Sequence, residues 1–232
     1  MDLKRYQEKT LGALSGKIPH FYLVGGTALS LFYFQHRESI DLDFFTKTFN
    51  RLEIRNILND LKTELKKPIQ LISEQTSPLF VKMMRYHILF TKRTSLKVDF
   101  VEDPTPLLKP LKIVDHIPLA SLEDIYLRKI FTVTGSTQTT DLTGRPKRIG
   151  GREEAKDFYD LYCLSQIFMK LSDFTVTYCD LNTIEALIRW FKTYDRLHIK
   201  TGLLELKTTQ KANYSELERH FKKEIIQLAK KI

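Results

Sequence analysis

The chain has 232 residues, enough for one large domain or two small ones, and 42% of them are hydrophobic, which is ample for a buried core. Its formal net charge of +9 at pH 7 favours polyanionic partners such as nucleotides, RNA or DNA. No stretch is apolar enough to span a bilayer, the first residues do not resemble a signal peptide, and only two cysteines occur, so we expect a reduced, cytoplasmic protein with no membrane partner.

The first predicted elements lead to a phosphate-binding turn. An amphipathic helix over residues 2–16 precedes a short strand, Phe21–Val24, and then a second helical pattern. Between that strand and helix, Gly25 and Gly26 allow the backbone to approach a phosphate closely, and the free N–H groups of the helix point to the same place. Thr27 adds a short hydroxyl in the first helical turn. Together these features predict a site for phosphate, although a plain turn is the alternative.

The next predicted strand, Ile40–Phe45, carries two acidic residues on one face. Asp41 and Asp43 alternate with apolar residues, which places their carboxylates on the same face, about 7 Å apart. Two like charges at this distance repel unless a cation lies between them, and Mg²⁺ commonly binds one or two carboxylates together with substrate phosphates. Beside a phosphate-binding turn, this strand indicates nucleotidyl or phosphoryl transfer; by itself it could be a solvated face.

A third acidic residue follows further along the chain. After a predicted helix over residues 50–66, capped by Asn50, short links between strands favour antiparallel pairing. The four strands are predicted at Ile69–Glu74, Leu79–Met84, Tyr86–Thr91 and Ser95–Val101. In the last strand Asp99 alternates with apolar residues, so it is either the third carboxylate of a metal site with Asp41 and Asp43 or a solvent-facing residue.

The second half of the chain is predicted to be mostly helical. Residues 107–118 indicate an extended connector, and helices begin at Ser121. A polar stretch, Gly135–Gly151, is predicted to be a mobile loop, after which helices are expected at 152–170, 180–196 and 213–231. The predicted fold is therefore α+β, with a mixed sheet and flanking helices over residues 1–115 and an all-α domain over residues 116–232.

Two charged residues interrupt apolar helical stripes in this second half. Lys129 shares a stripe with Ile125 and Val133, so its ammonium either snorkels to the surface or meets an anion such as a nucleotide phosphate. Asp157 shares a stripe with Leu161, and it could orient Lys129, contact a nucleotide or form an ion pair between helices. The sequence leaves these roles open.

The segment from Gly25 to Asp43 resembles the first motif of the AbiEii-type nucleotidyltransferases, within the DNA polymerase β-like superfamily. That motif reads Gly-Gly-Thr-Ala-Leu, a helix, and then (His)-Arg-x-Ser-x-Asp-hydrophobic-Asp. The chain matches it at Gly25, Gly26, Thr27, Ala28, Leu29, His36, Arg37, Ser39, Asp41 and Asp43. A later motif of the family is matched at Arg152, Lys156, Asp157, Asp160 and Leu161. The departure from the family is the insertion at Gly135–Gly151, which leaves the geometry between Lys129 and Asp157 open.

The resemblance implies an enzyme that uses Mg²⁺ or Mn²⁺ and a nucleoside triphosphate (NTP) to transfer a nucleotide to a hydroxyl group. It implies that Asp41, Asp43 and Asp99 bind the metal and are catalytic, with Lys129 and Asp157 as further catalytic residues. The implied nucleotide-binding and phosphate-binding residues are Gly25, Gly26, Thr27, Arg37, Ser39, Lys129 and Arg152. Many relatives are toxins and several act on RNA, so the expected acceptor is tRNA or another RNA, and the expected partner is a cognate antitoxin. We expect the protein itself to be a monomer.

Other acceptors and other functions fit the same residues. The nucleotide could pass to a small molecule or to a protein hydroxyl, or the chain could be a nucleic-acid-binding module with a decayed site, although every expected acid is retained. Arg145, Lys147 and Arg148, in the polar stretch, could follow an RNA backbone or could belong to a solvated linker.

Overall fold

The protein, seen in a computed structural model, is described over residues 3–135, 137–140, 144 and 146–232. The chain divides into two compact units: the first comprises Met1–Phe34 and Ser39–Ser121, and the second comprises Gln35–Glu38 and Leu122–Ile232. The mixed α/β fold class expected from the sequence is confirmed. What the sequence did not indicate is the short segment Gln35–Glu38, which belongs to the second unit although both of its neighbours in sequence belong to the first.

The first unit is built on a mixed β-sheet. Its described strands are β1 Phe21–Val24, β2 Asp41–Thr46, β3 Ile69–Gln75, β4 Met83–Thr91, β5 Thr94–Glu102, β6 Lys112–Val114 and β7 Ile117–Leu119. They lie in the order β3-β4-β5-β2-β1-β7-β6. The central strand β2 is antiparallel to β1 and parallel to β5. A parallel pair needs a long connection, which the chain between β2 and β5 supplies.

Helices of the first unit begin where the sequence indicated. The described ones are α1 Leu3–Leu14, α2 Gly25–Ala28, which continues as a π-helical turn over Leu29–Tyr33, and α3 Arg51–Leu65. The predicted cap of α3 is confirmed, because Oδ1 of Asn50 accepts hydrogen bonds from the N–H groups of Leu52 (3.0 Å) and Glu53 (3.2 Å). The apolar stripe of α3 is buried at Ile54, Ile57, Leu58 and Leu61.

The predicted strand Leu79–Met84 is wrong. Leu79 and Phe80 are 84% and 64% exposed, and they lie in a loop before β4 begins at Met83. Buried and part-exposed residues alternate without a break from Met84 to Phe90, so Met84 belongs to β4. The predicted strand Tyr86–Thr91 is the main part of this strand. Residues 107–118, predicted as a connector, contain β6 and the first two residues of β7, which pairs with β6 and, through Leu119, with β1.

The second unit is mainly helical but not all-α, which corrects the sequence prediction. Its described elements are α4 Leu122–Thr134, the strands β8 Thr137–Thr140 and β9 Pro146–Ile149, and then α5 Ala155–Ile167, α6 Leu171–Tyr178, α7 Leu181–Thr193, α8 Arg196–Glu205 and α9 Tyr214–Ala229. The stretch expected to be a mobile loop therefore contains an antiparallel hairpin.

Close backbone contacts anchor this hairpin at its base. A Cβ atom at Gly135 would lie 2.0 Å from the carbonyl oxygen of Ile149, and one at Gly151 would lie 2.1 Å from that of Val133. The Arg148 guanidinium lies 4.4 Å from the centre of the Phe131 ring. Arg145 and the side chain of Lys147 lie outside the described part of the chain.

Both cysteines carry free thiols, as the sequence indicated. Burial raises the pKa of Cys163 and of Cys179 to about 12, which keeps both groups protonated at neutral pH. Over the described ranges, no helix combines the length and the apolar character that a membrane span requires.

Candidate active site

Three carboxylates share one face at the centre of the sheet. The parallel pairing of β2 and β5 places Asp43 directly beside Asp99 and Asp41 directly beside Lys97. Adjacent strands lie about 4.8 Å apart, and residues two apart on a strand point to the same side. Asp41, Asp43 and Asp99 are therefore neighbours, as the sequence predicted, and Asp99 is the most deeply buried of them, at 4% exposure.

Two basic side chains lie against these acids. Arg85, on β4, donates hydrogen bonds to Asp99 from Nε (2.9 Å to Oδ1) and from Nη2 (2.9 Å to Oδ2). The Lys97 ammonium lies 2.8 Å from Oδ2 of Asp41 and 3.8 Å from Oδ2 of Asp99. Three carboxylates against two cations leave these five side chains with a net negative charge.

The acids fit a hard divalent cation as a donor set, but they are not arranged around one. Carboxylate oxygens are the ligands that Mg²⁺ prefers, and neighbouring strands supply three of them here. In the portion of the chain that is described, no three His, Cys, Asp or Glu side chains are grouped so as to hold a metal ion. Lys97 and Arg85 contact oxygens of Asp41 and Asp99.

The glycine turn is shaped by the nearby acid. Gly25 has φ of +75°, in the left-handed region that favours glycine, and a Cβ atom there would lie 2.6 Å from Oδ2 of Asp43. Thr27 is fully buried, and its hydroxyl donates to the backbone oxygen of Asp41 and lies 2.8 Å from Oγ of Ser39. The Thr27 side chain thus ties the start of α2 to the strand that carries the acids.

Replacing Gly25 by alanine should lower the free energy of unfolding by about 1–2 kcal/mol, from backbone strain alone, and displace the Asp43 carboxylate. Urea denaturation measures this effect. Gly12→Ala is the control, since Gly12 lies in α1 with open space around it and alanine favours a helix by about 1 kcal/mol. A Gly25→Ala protein as stable as the wild type would show that the turn does not require glycine.

The second unit contains a buried group of charges that joins α4 to α5. The Lys129 ammonium lies 2.8 Å from Oδ1 of Asp157 and 2.6 Å from Oδ2 of Asp160, and both aspartates are fully buried. Of the roles that the sequence left open for Asp157, the structure therefore shows the ion pair between helices. The anions that Lys129 meets are two carboxylates of its own unit.

Arginines complete this buried group from two parts of the chain. Arg37, in the short segment Gln35–Glu38, donates from Nε (2.6 Å) and Nη2 (2.7 Å) to the two oxygens of Asp160. His36 Nε2 lies 2.7 Å from Oδ1 of the same carboxylate. Arg152 donates to Oδ2 of Asp157 at 2.7 Å, and its side chain is 46% exposed. Arg37 is thus buried in an ion pair, while Arg152 extends to the surface.

The opposite charges in this group keep one another ionised, although burial disfavours the charged form of each. Burial would raise the pKa of Asp160, but Lys129 and Arg37 hold that pKa well below its ordinary value. Asp157 behaves in the same way, because Lys129 and Arg152 lower its pKa despite burial. Burial would lower the pKa of Lys129, and the two aspartates raise it above its ordinary value. All of these groups therefore stay charged at neutral pH.

The structure places the predicted residues in two sets, one in each unit. The first unit holds Gly25, Gly26, Thr27, Ser39, Asp41, Asp43 and Asp99, and the second holds Arg37, Lys129, Arg152 and Asp157. Sequence reasoning missed Arg85 and Lys97 as partners of the acids, although Lys97 lies two residues before Asp99 on the same strand face. It also left the role of Asp160 open, and no local pattern links that residue to Arg37.

The chain is similar to known nucleotidyltransferases. The family model described as "Nucleotidyl transferase AbiEii toxin, Type IV TA system" matches residues 10–231. The crystal structure of JHP933 from Helicobacter pylori is similar with a TM-score of 0.57 and 20% identity, covering 98% of this chain and 92% of that one. MenT4, a nucleotidyltransferase toxin from Mycobacterium tuberculosis, is similar with a TM-score of 0.53 and 12% identity, covering 98% and 82%. No curated protein matches the chain.

Proposed function

This chain belongs to the AbiEii family of nucleotidyltransferase toxins, and we propose that it transfers a nucleoside monophosphate from an NTP to a hydroxyl group of tRNA or another RNA. The observation that carries this proposal is the set of three carboxylates, Asp41, Asp43 and Asp99, on one face of neighbouring strands beside the Gly25 turn. The proposed reaction depends on Mg²⁺ or Mn²⁺ and takes place in the cytoplasm.

In this proposal Asp41, Asp43 and Asp99 would hold the metal. A bound Mg²⁺ would supply positive charge for the triphosphate and for the oxygens that enter and leave the phosphorus atom. We assign Asp99 a second role, in which its carboxylate would receive the proton of the attacking hydroxyl. Arg85 supports that role, because its two hydrogen bonds fix the orientation of the Asp99 carboxylate.

The glycine turn and its neighbours would bind the phosphates of the NTP. Gly25, which is part-exposed, would present its backbone to the phosphates, and the buried Gly26 would shape the same turn. The buried hydroxyl of Thr27 holds the turn against Ser39 and the start of β2. For the second unit we propose that Arg152, whose side chain is 46% exposed, adds positive charge for phosphate binding, and that the buried Lys129 acts through Asp157, which it shares with Arg152. Arg37 would contribute indirectly, since it fixes Asp160, which in turn holds Lys129.

The net charge of +9 supports a polyanionic acceptor. The test is to incubate the protein with Mg²⁺, each α-labelled NTP in turn, and total RNA. Label on RNA is the expected result. Label on a protein or on a small molecule would identify that molecule as the acceptor instead. RNA retained without any transfer of label would indicate a binding module. Omitting Mg²⁺ should abolish labelling.

We also propose that the protein acts as a toxin, as a monomer with a cognate antitoxin as partner; membership of a toxin family supports this role. Expression without the antitoxin should slow the growth of a bacterial host, and an Asp43→Asn variant expressed to the same level should not. Growth unaffected by either protein would contradict the toxic role, whatever the result of the labelling experiment.

A further inference from the structure

The sheet face that carries the acids has a regular pattern of charge across three strands. One row reads Arg85, Asp99 and Asp43 across β4, β5 and β2, because these residues are paired in register. The neighbouring row reads His87, Lys97 and Asp41. Residues that are paired directly or lie two apart on a strand point to the same side, so both rows occupy one face.

Lys97 lies within this pattern, between two of the acids. Its ammonium is 2.8 Å from Asp41 and 3.8 Å from Asp99, and its side chain is 28% exposed. An ammonium at hydrogen-bond distance takes up one lone pair of the Asp41 carboxylate and offsets part of its negative charge, and both would otherwise favour a divalent cation. The cation and the lysine therefore compete for Asp41. Arg85 differs, since it binds Asp99 from the opposite strand and can keep that carboxylate in place.

We propose that Lys97 competes with the metal for the Asp41 carboxylate. This inference rests on the metal-dependent transfer proposed above. In the free protein its ammonium neutralises Asp41, and a divalent cation gains this carboxylate mainly when it arrives together with an NTP. Lys97 is thus a positioning residue that couples the binding of metal and nucleotide.

The coupling depends on which anion the Lys97 ammonium can contact after the metal displaces it from Asp41. A cation that arrives alone takes Asp41 from Lys97 and leaves the ammonium beside a new positive charge, with only the Asp99 carboxylate at 3.8 Å as an anionic partner, which is unfavourable at these distances. A nucleotide brings phosphate oxygens, which accept strong hydrogen bonds from an ammonium group. Because coupling between two ligands is reciprocal, the nucleotide should raise the metal affinity as much as the metal raises the nucleotide affinity.

The experiment measures protein-bound Mn²⁺, by the loss of its free electron paramagnetic resonance signal, with and without a non-hydrolysable NTP analogue. The signal lost to the analogue alone, measured without protein, is subtracted. Lys97→Met should bind Mn²⁺ alone about fivefold more tightly than the wild type, the upper range for a part-exposed ion pair. The enhancement of Mn²⁺ binding by the analogue should be correspondingly smaller in the variant. If Lys97→Met does not fold, Lys97→Gln carries the same expectation.

Lys82→Met is the matched control, because Lys82 pairs with Glu102 at 2.9 Å in the same unit and removing it changes the net charge equally. Equal or weaker Mn²⁺ binding by the Lys97 variant, or the same gain in the Lys82 variant, would overturn the inference. A wild-type protein that binds no Mn²⁺ even with the analogue would instead refute the metal-dependent function itself, so the two failures can be told apart.

Discussion

Replacing Asp43 by asparagine should abolish nucleotide transfer while the protein stays folded. Asp43 lies beside Asp99 in register and next to the Gly25 turn, so its carboxylate belongs to both parts of the proposed site. Loss of a metal-binding carboxylate removes several kcal/mol of transition-state stabilisation, which corresponds to roughly a 10³-fold slower reaction. Asp41→Asn should have a similar effect. Transfer of labelled nucleotide under single-turnover conditions measures both.

Glu102→Gln provides the control for these two variants. Glu102 lies on β5, like Asp99, but its carboxylate pairs with Lys82. Its replacement should leave the transfer rate within a small factor of the wild type. Near-normal turnover by Asp41→Asn or Asp43→Asn, with the Glu102 variant unchanged, would show that these acids do not bind the catalytic metal.

Replacing Asp160 by asparagine should cost about 3–5 kcal/mol in the free energy of unfolding. The Asp160 carboxylate is fully buried and contacts Arg37, His36 and Lys129, so its loss leaves buried positive charge without an adequate partner. Chemical denaturation measures the change. The control is Asp173→Asn, because Asp173 pairs with Lys231 at the surface, where an ion pair contributes at most about 1 kcal/mol. Equal effects of the two substitutions would mean that the buried group is not a source of stability.

The same carboxylate predicts how stability depends on pH. Its pKa in the folded protein is well below the ordinary value of 3.8, so the unfolded chain binds the proton more readily. The stability that this difference provides is fully present above the ordinary pKa and is lost as the pH falls through the depressed value. Denaturation of the wild type at a series of pH values from about 6 to about 3 should show this loss. The loss of stability should be smaller in Asp160→Asn. The same loss at low pH in both proteins would show that the depressed pKa of Asp160 is not its source.

Elements that have a local pattern can be predicted directly from the amino-acid sequence. Alternation of apolar and acidic residues determined β2 and the face of Asp41 and Asp43, the glycines marked the turn before α2, and Asn50 marked the start of α3. Hydrophobic period alone failed at Leu79–Met84, because an apolar run can lie in an exposed loop as well as in a strand. A local pattern does not show which apolar segment pairs with another strand of the sheet.

Which charged groups contact one another depends on the three-dimensional fold. Lys97 lies opposite Asp41 because β2 and β5 pair in parallel with a particular register, and that register depends on packing between strands that are far apart in sequence. Arg37 and Asp160 are 123 residues apart and meet because a short segment of the chain joins the second unit. The sequence therefore determined the kinds of groups in the candidate site. Their partners were decided by the fold, because burial leaves a charged group stable only where another element brings an opposite charge to it.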